Sequence, residues 1–221
     1  KVNLGYMKNK ICMVGLASGL VLGNLGFTHC CIEDIGSLRS IPNISIVVPS
    51  DPFELFKVLH EAINYKDSVY IRLTAGSNTK IINNKDYKFK IGKAVEILPG
   101  KDVAIVGCGN ILGNCIEATS ILRKKNIQCS VVNMHTIKPI DDKKIKSLAK
   151  ENKLIVTVEE HNVIGGLGTS VAEVLASERN NCKLVRIGVN DFYSSGGSYE
   201  YLKDIYGLSV EKIIKTVISN L

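Results

Sequence analysis

Hydrophobic positions follow two styles along this chain. In the second half, four short β-branched runs, DVAIVG (102–107), IQCSVVNM (127–134), KLIVTVEE (153–160) and KLVRIGV (183–189), are continuous rather than alternating. Strands buried on both faces of a parallel sheet read this way. The segments 110–125, 140–151, 167–178 and 209–220 carry apolar residues at helical period. Strand and helix in alternation predict a doubly wound α/β domain with right-handed crossovers.

The first half repeats the style in shorter form. KICMVGL (10–16), ISIVVPS (44–50) and SVYIRLT (68–74) read as strands, and 30–41 and 51–65 as helices, the second capped by Ser50 or Asp51 with Pro52 in its first turn. Three strands make a small sheet, and a parallel sheet needs cover on both faces, so this domain reads as truncated at its N-terminal side. Its open edges predict self-association. The polar stretch NTKIINNKDYKFKIGKAVEILPGK, broken by Gly and Pro, separates the halves. The expected organisation is a first α/β domain over 1–78, a linker over 79–92 and a second α/β domain over 93–221, each built on a parallel sheet.

Composition narrows the function classes. Of the 221 residues 45% are apolar and 22% charged, enough for buried cores. No apolar run approaches the roughly 18 residues of a membrane span, so a soluble, cytoplasmic protein with no membrane partner is expected. The net charge of +7 comes from scattered lysines, and only 6% of residues are aromatic. That pattern is a solvated basic surface rather than a nucleic-acid grip. Seven cysteines form no CxxC pair and no Cys/His cluster of zinc spacing, so reduced thiols and no metal ligands are expected. The chain opens on Lys rather than Met, as a piece of something longer would.

Three stretches carry candidate chemistry. GCGNILG (107–113) follows a strand and opens a helix, but its GxGxxxG spacing and the lack of an acid after the next strand favour tight packing over a dinucleotide. VEEHNVIGGLGTSVAE (158–173) puts two carboxylates and His161 at a strand's carboxyl end, followed by glycines that open a helix. It could hold an anion on helix amides, or form a charged turn at a domain or subunit interface, which is the favoured reading. His29 stands between glycines 23 and 26 and a predicted helix, where an imidazole can meet a substrate hydroxyl. His60, inside a helix, and His135, at a strand end, read as packed or solvated.

THCCIEDIGSLRSIPNISIVVPSD resembles the THQ-x-x-ED-x-x-x-x-R-x-IPN-x-x-V-x-x-PSD segment of the transketolase family, above all the separate C-terminal subunit of split transketolases. VEEHNVIGGLGTSVAEVL and SGGSYEYLKDIYGLSVEKII are similar to that subunit's closing domain. The resemblance implies a truncated pyrimidine-binding domain followed by a transketolase C-terminal domain. It implies transfer of a two-carbon ketol unit between sugars with thiamine diphosphate and Mg2+, and gives His29 the catalytic role of a donor-sugar contact. Glutamate and aromatic residues that serve the cofactor in the family fall before Lys1, and no GDG motif occurs here. The isolated chain is therefore expected to hold no cofactor and to work, in a homo- or hetero-oligomer, with a diphosphate-binding N-terminal subunit or domain. Ala17, Leu25 and Ala75 stand where the family has a histidine, an aspartate and a phosphate-binding arginine. Arg72 is the nearest substitute for that arginine and is the second candidate substrate residue. These departures predict a preference for an unphosphorylated or modified acceptor over ribose 5-phosphate. Deoxyxylulose-phosphate synthases, 2-oxo acid dehydrogenase β-subunits, a non-catalytic assembly module of the same fold and a nicotinamide oxidoreductase are the rival readings.

Overall fold

The computed structural model describes residues 1–74, 81–82, 87–177, 179–193 and 195–221. In chain order the elements are β1 (Cys12–Gly15), α1 (Asp34–Arg39), β2 (Ile44–Val47), α2 (Pro52–Asn64), β3 (Ser68–Arg72), β4 (Val95–Leu98), β5 (Val103–Gly107), α3 (Leu112–Lys124), β6 (Cys129–Asn133), β7 (Thr136–Lys138), α4 (Asp142–Glu151), β8 (Leu154–Asn162), α5 (Leu167–Ala176), β9 (Lys183–Val189), α6 (Tyr199–Ile205) and α7 (Val210–Asn220). They build a four-stranded sheet in the order β1-β3-β2-β7 and a five-stranded sheet in the order β4-β6-β5-β8-β9.

The continuous runs are strands as expected. β5 and β6 are buried at every position, and β5, β6, β8 and β9 pair in parallel. Two short antiparallel strands depart from the expectation. β4 lies in the glycine- and proline-broken stretch that follows the first half and adds to the edge of β6. β7 leaves the second half to pair with β2, with Ile46 opposite Lys138 and Val47 opposite Thr136, so the first sheet has four strands rather than three. At the other edge, Val14 of β1 and Leu16 just past its end are 49% and 73% exposed.

The expected polar linker also packs. In YKFKIGK, Tyr87, Phe89 and Ile91 alternate with lysines, and Phe89 and Ile91 are buried against Val47, Val58, Val69 and Ile71. Helix 30–41 shortens to α1, because Cys31 is drawn into an extended bridge with Gly19 and Cys30 is extended before it. The cap of α2 is Asp51, whose carboxylate accepts from the Glu54 amide at 2.8 Å, with Pro52 at the first helical position. α6, not expected from the sequence, is capped by Ser198.

The two sheets share their interior. Leu20 and Ile32, from the loop after β1, are buried among Ile105, Val156 and Val158 of the second sheet and Leu112 of α3. Ile35, Ile46 and Val48 pack with Val106, Val132 and Ile155. Polar contacts join the halves too: Glu54 of α2 accepts from Asn133 Nδ2 at the end of β6 at 2.8 Å.

Candidate functional site

A loop from Gly19 to Cys31 leaves the carboxyl end of β1. Its neck is closed by two backbone hydrogen bonds, Gly19 N–H to Cys31 O at 2.8 Å and Cys31 N–H to Gly19 O at 3.1 Å. Short 3₁₀ turns at Gly23–Leu25 and Phe27–His29 meet at Gly26, whose φ of +84° is left-handed and suits glycine. His29 is exposed, and Thr28 Oγ1 lies 3.0 Å from its Nδ1. Its Nε2 has no hydrogen-bond partner among the described residues. Leu25, 59% exposed, lies on the same loop, Ala17 precedes the neck at φ +57°, and Ala75 lies outside the described residues.

Behind the neck, the carboxyl ends of β3 and β8 meet in a buried polar cluster. Arg72, 2% exposed, donates through Nε to both oxygens of Asp34 at 3.0 and 2.8 Å, and through a terminal nitrogen to the carbonyls of Cys31 and Glu160, each at 3.0 Å. Tyr70 O–H donates to the same aspartate at 2.8 Å. Burial would push Asp34 up, but the charge and hydrogen bonds of Arg72, with Tyr70, hold its carboxyl below the usual carboxylate range. The structure therefore places the second candidate residue in the interior as an ion-pair partner, and does not bring it together with His29 on one surface.

The three polar residues at the end of β8 each have a fixed partner. Glu159 accepts from the Leu167 and Gly168 amides at 2.6 and 2.7 Å, so the glycine-rich helix start holds the chain's own carboxylate. Burial pushes Glu159 up to about 7 against those amides. Glu160 accepts from Leu20 N–H at 2.8 Å and from Tyr199 O–H at 2.7 Å, and burial raises its pKa. The Gly36 amide donates to His161 Nε2 at 3.2 Å, and His161 Nδ1 lies 2.8 Å from Asn162 O. An amide on one nitrogen and a carbonyl on the other fix a neutral ring protonated on Nδ1. Burial, aided by Arg72, pushes its pKa down to about 4. The favoured reading of this stretch as an interface holds, the interface being that between the chain's own sheets.

The other motifs are packing devices. In GCGNILG, a Cβ on Gly109 would stand 2.9 Å from Val48 Cγ1, and one on Gly107 would stand 3.1 Å from Leu112 Cδ1. His135 is buried, with its ring 4.2 Å from that of Phe89, and His60 is exposed on α2. All seven cysteines are free thiols.

Sequence reasoning missed Asp34, Glu160 and Tyr199 as one assembly. A signal for Glu160 was available: consecutive residues of a strand face opposite ways, so Glu159 and Glu160 had to serve different partners. A metal ion does not fit the described residues. Among the described residues no group of three or more His, Cys, Asp and Glu is placed to hold a metal ion. Asp34, Glu159 and Glu160 are already engaged by guanidinium, amide and phenol donors.

Comparison with known proteins gives this geometry its family. Residues 2–79 match the transketolase pyrimidine-binding domain and residues 92–213 the transketolase C-terminal domain. A Methanocaldococcus jannaschii protein provisionally named a transketolase C-terminal section is 37% identical over 220 residues, covering 99% of this chain and 68% of the relative. A subunit of the apulose-4-phosphate transketolase of Phocaeicola vulgatus is 35% identical over 218 residues, covering 99% and 69%. A solved structure of a split gene transketolase, described as an inactive beta4 tetramer, superposes with a TM-score of 0.86 at 32% identity, over 98% of this chain and 68% of that one. No helix among the described residues is long and apolar enough to cross a membrane. With both halves matched in order, the chain belongs to the transketolase family and carries its pyrimidine-binding and C-terminal domains.

Proposed function

We propose that this chain is the C-terminal section of a thiamine-diphosphate-dependent enzyme that moves a two-carbon ketol unit between sugars. In this reading residues 1–78 are pyrimidine-binding, 79–92 are the linker and 93–221 are the C-terminal domain. The cofactor and its divalent metal sit chiefly on a diphosphate-binding partner; that no group of His, Cys, Asp and Glu among the described residues is placed for a metal ion is in keeping with this. The chain supplies His29. Relatives named for apulose 4-phosphate and for 6-deoxy-6-sulfo-D-fructose are named as subunits, which supports a multi-chain enzyme acting on sugars.

The observation that carries the reading is the placement of His29. It is exposed past the carboxyl end of β1, one of three parallel strands, the end where α/β proteins bind ligands, with Thr28 on one ring nitrogen and the other open among the described residues. An imidazole so placed can donate to or accept from a sugar oxygen whose charge changes during transfer. Arg72 has no such freedom, since reaching a phosphate would break its pair with Asp34. Leu25 and Ala17 offer no charge to a phosphate either. An acceptor other than ribose 5-phosphate is part of the proposal.

The test is His29→Ala in the full-length natural chain assembled with its diphosphate-binding partner. Turnover should fall about 10²–10³-fold, the scale for one well-placed donor, while circular dichroism and thermal unfolding stay as in the wild type. An unchanged kcat/KM removes His29 from the site.

A further inference from the structure

We propose that Glu160, backed by Tyr199, is a positioning residue for His29: the C-terminal half of the chain sets the shape of the loop that presents the imidazole. The inference rests on the reading of His29 as a substrate contact, and it gives that half a place in the site.

The first observation is the match between Glu160 and the loop neck. Immediately past the Gly19–Cys31 bridge, Leu20 N–H donates to Glu160 Oε1 at 2.8 Å. Gly19 makes room for that oxygen. Its φ is +74°, and a Cβ there would stand 2.5 Å from Glu160 Oε1. The glycine thus answers both a backbone conformation and a carboxylate placed against the chain. Glu160 is only 4% exposed, so its effect on a substrate would pass through the loop rather than through contact.

The second observation is how the carboxylate is itself held. Oε2 accepts from Tyr199 O–H at 2.7 Å, and the ammonium of Lys203 sits 4.5 Å from the centre of the Tyr199 ring. Tyr199 opens α6, and α6 with its approach grips the same loop further along. A Cβ on Gly23 would fall 2.0 Å from Leu202 Cδ1, and Gly197 N–H donates to Gly23 O at 3.0 Å. Phe27, two residues before His29, packs its ring 5.3 Å from Tyr193 and 6.2 Å from Tyr206.

Together these contacts form a rail. Two hydrogen bonds tie the loop between Leu20 and His29 to the rest of the chain, through Glu160 and Gly197, both in the C-terminal half. The first sheet holds the neck, through Ser18 N–H to Leu73 O at 3.0 Å and Arg72 to Cys31 O at 3.0 Å. A catalytic imidazole displaced by about an ångström loses much of its effect, which makes such a rail consequential.

These 221 residues hold four histidines, whose ring signals can be assigned by NMR of histidine-labelled protein through single-histidine variants. Glu160→Ala is expected to move the His29 ring signals and to speed amide exchange over residues 20–29 at least tenfold. His60 and His135 should be unaffected. Glu160→Gln keeps an acceptor for Leu20 N–H and should recover most of the wild-type pattern. In the assembled enzyme Glu160→Ala should lower kcat at least tenfold, with Glu160→Gln again recovering most of the loss.

Should Glu160→Ala fail to fold, Tyr199→Phe, which removes one phenol O–H, is expected to give the same pattern at smaller amplitude. A folded variant, Glu160→Ala or Tyr199→Phe, with unchanged His29 signals and loop exchange overturns the proposal, whatever its turnover. If the loop loosens as expected but neither Glu160→Ala nor His29→Ala alters turnover, the positioning stands and the substrate role of His29 fails.

Discussion

Replacing Arg72 by Leu tests whether the meeting point of the two sheets is held by charge. The guanidinium has four buried acceptor contacts: two to Asp34 and one each to the carbonyls of Cys31 and Glu160. The ion-paired side chains are 3% and 9% exposed, so water cannot replace the lost partner without opening the structure. Removing one member of a buried pair costs about 3–5 kcal/mol, because the other charge stays behind. The Glu160 carbonyl loses the Arg72 donor as well, while the Cys31 carbonyl keeps Gly19 N–H, so the expectation sits within that range. Urea unfolding at pH 7 measures it. The Asp34→Leu/Arg72→Leu double variant should be at least ~2 kcal/mol more stable than the sum of the single losses, since it leaves no lone charge. There is also a pH signature. With Arg72 gone, burial raises the folded pKa of Asp34 above the ordinary 3.8. The folded variant then binds a proton that the unfolded chain does not, and its deficit shrinks as pH falls toward 4. A single-variant loss below ~1 kcal/mol, or strict additivity in the cycle, refutes the reasoning and frees Arg72 for a substrate.

Two further outcomes are expected. His161 has a folded pKa of about 4 against an ordinary 6.5, so between those values the unfolded chain binds the proton and the folded chain does not. Stability should therefore fall as pH drops from 6.5 to 4, by about 3 kcal/mol at 1.36 kcal/mol per unit. Glu159, raised from 4.5 to about 7, acts in the opposite sense, its contribution being lost as pH rises through that window. The His161 share is thus read as the difference between wild-type and His161→Asn unfolding curves, and parallel curves contradict it. For the acceptor, phosphorylated and unphosphorylated aldoses competing in one assay of the assembled enzyme should favour the unphosphorylated sugar, and a strong preference for ribose 5-phosphate rules this out.

The parts of the fold that announce themselves in sequence are those whose local pattern and tertiary fate agree. DVAIVG and KLIVTVEE carry continuous rather than alternating apolar residues because both faces of β5 and β8 are covered. β7 has only three residues and no period to read. It becomes a strand because Ile46 and Val47, some ninety residues earlier, offer an open edge. YKFKIGK did alternate with the period of a half-buried extended segment, but its lysines and neighbouring Gly and Pro suggested a solvated linker. At the site, the THxxxED pattern and the flanking glycines made His29 visible. The fate of Arg72 was not visible, because its partner Asp34 follows a different strand and only the assembled sheet brings them together. The role of Glu160 was hidden for the same reason: its partners, Leu20 and Tyr199, lie on either side of it in the chain.

The exchange of β7 into the first sheet has a bearing on how this protein could change over evolutionary time. Families built from separable modules are free to shuffle them, since each module closes its own hydrogen bonds. Here β2 completes one edge with residues 136–138, and Leu20 fills space in the other sheet's interior. A graft of either half onto a foreign partner would carry an unpaired edge and a socket missing its side chain. The halves are therefore bound to a common inheritance, and new substrates have to be reached by altering loops such as 19–31 rather than by trading domains.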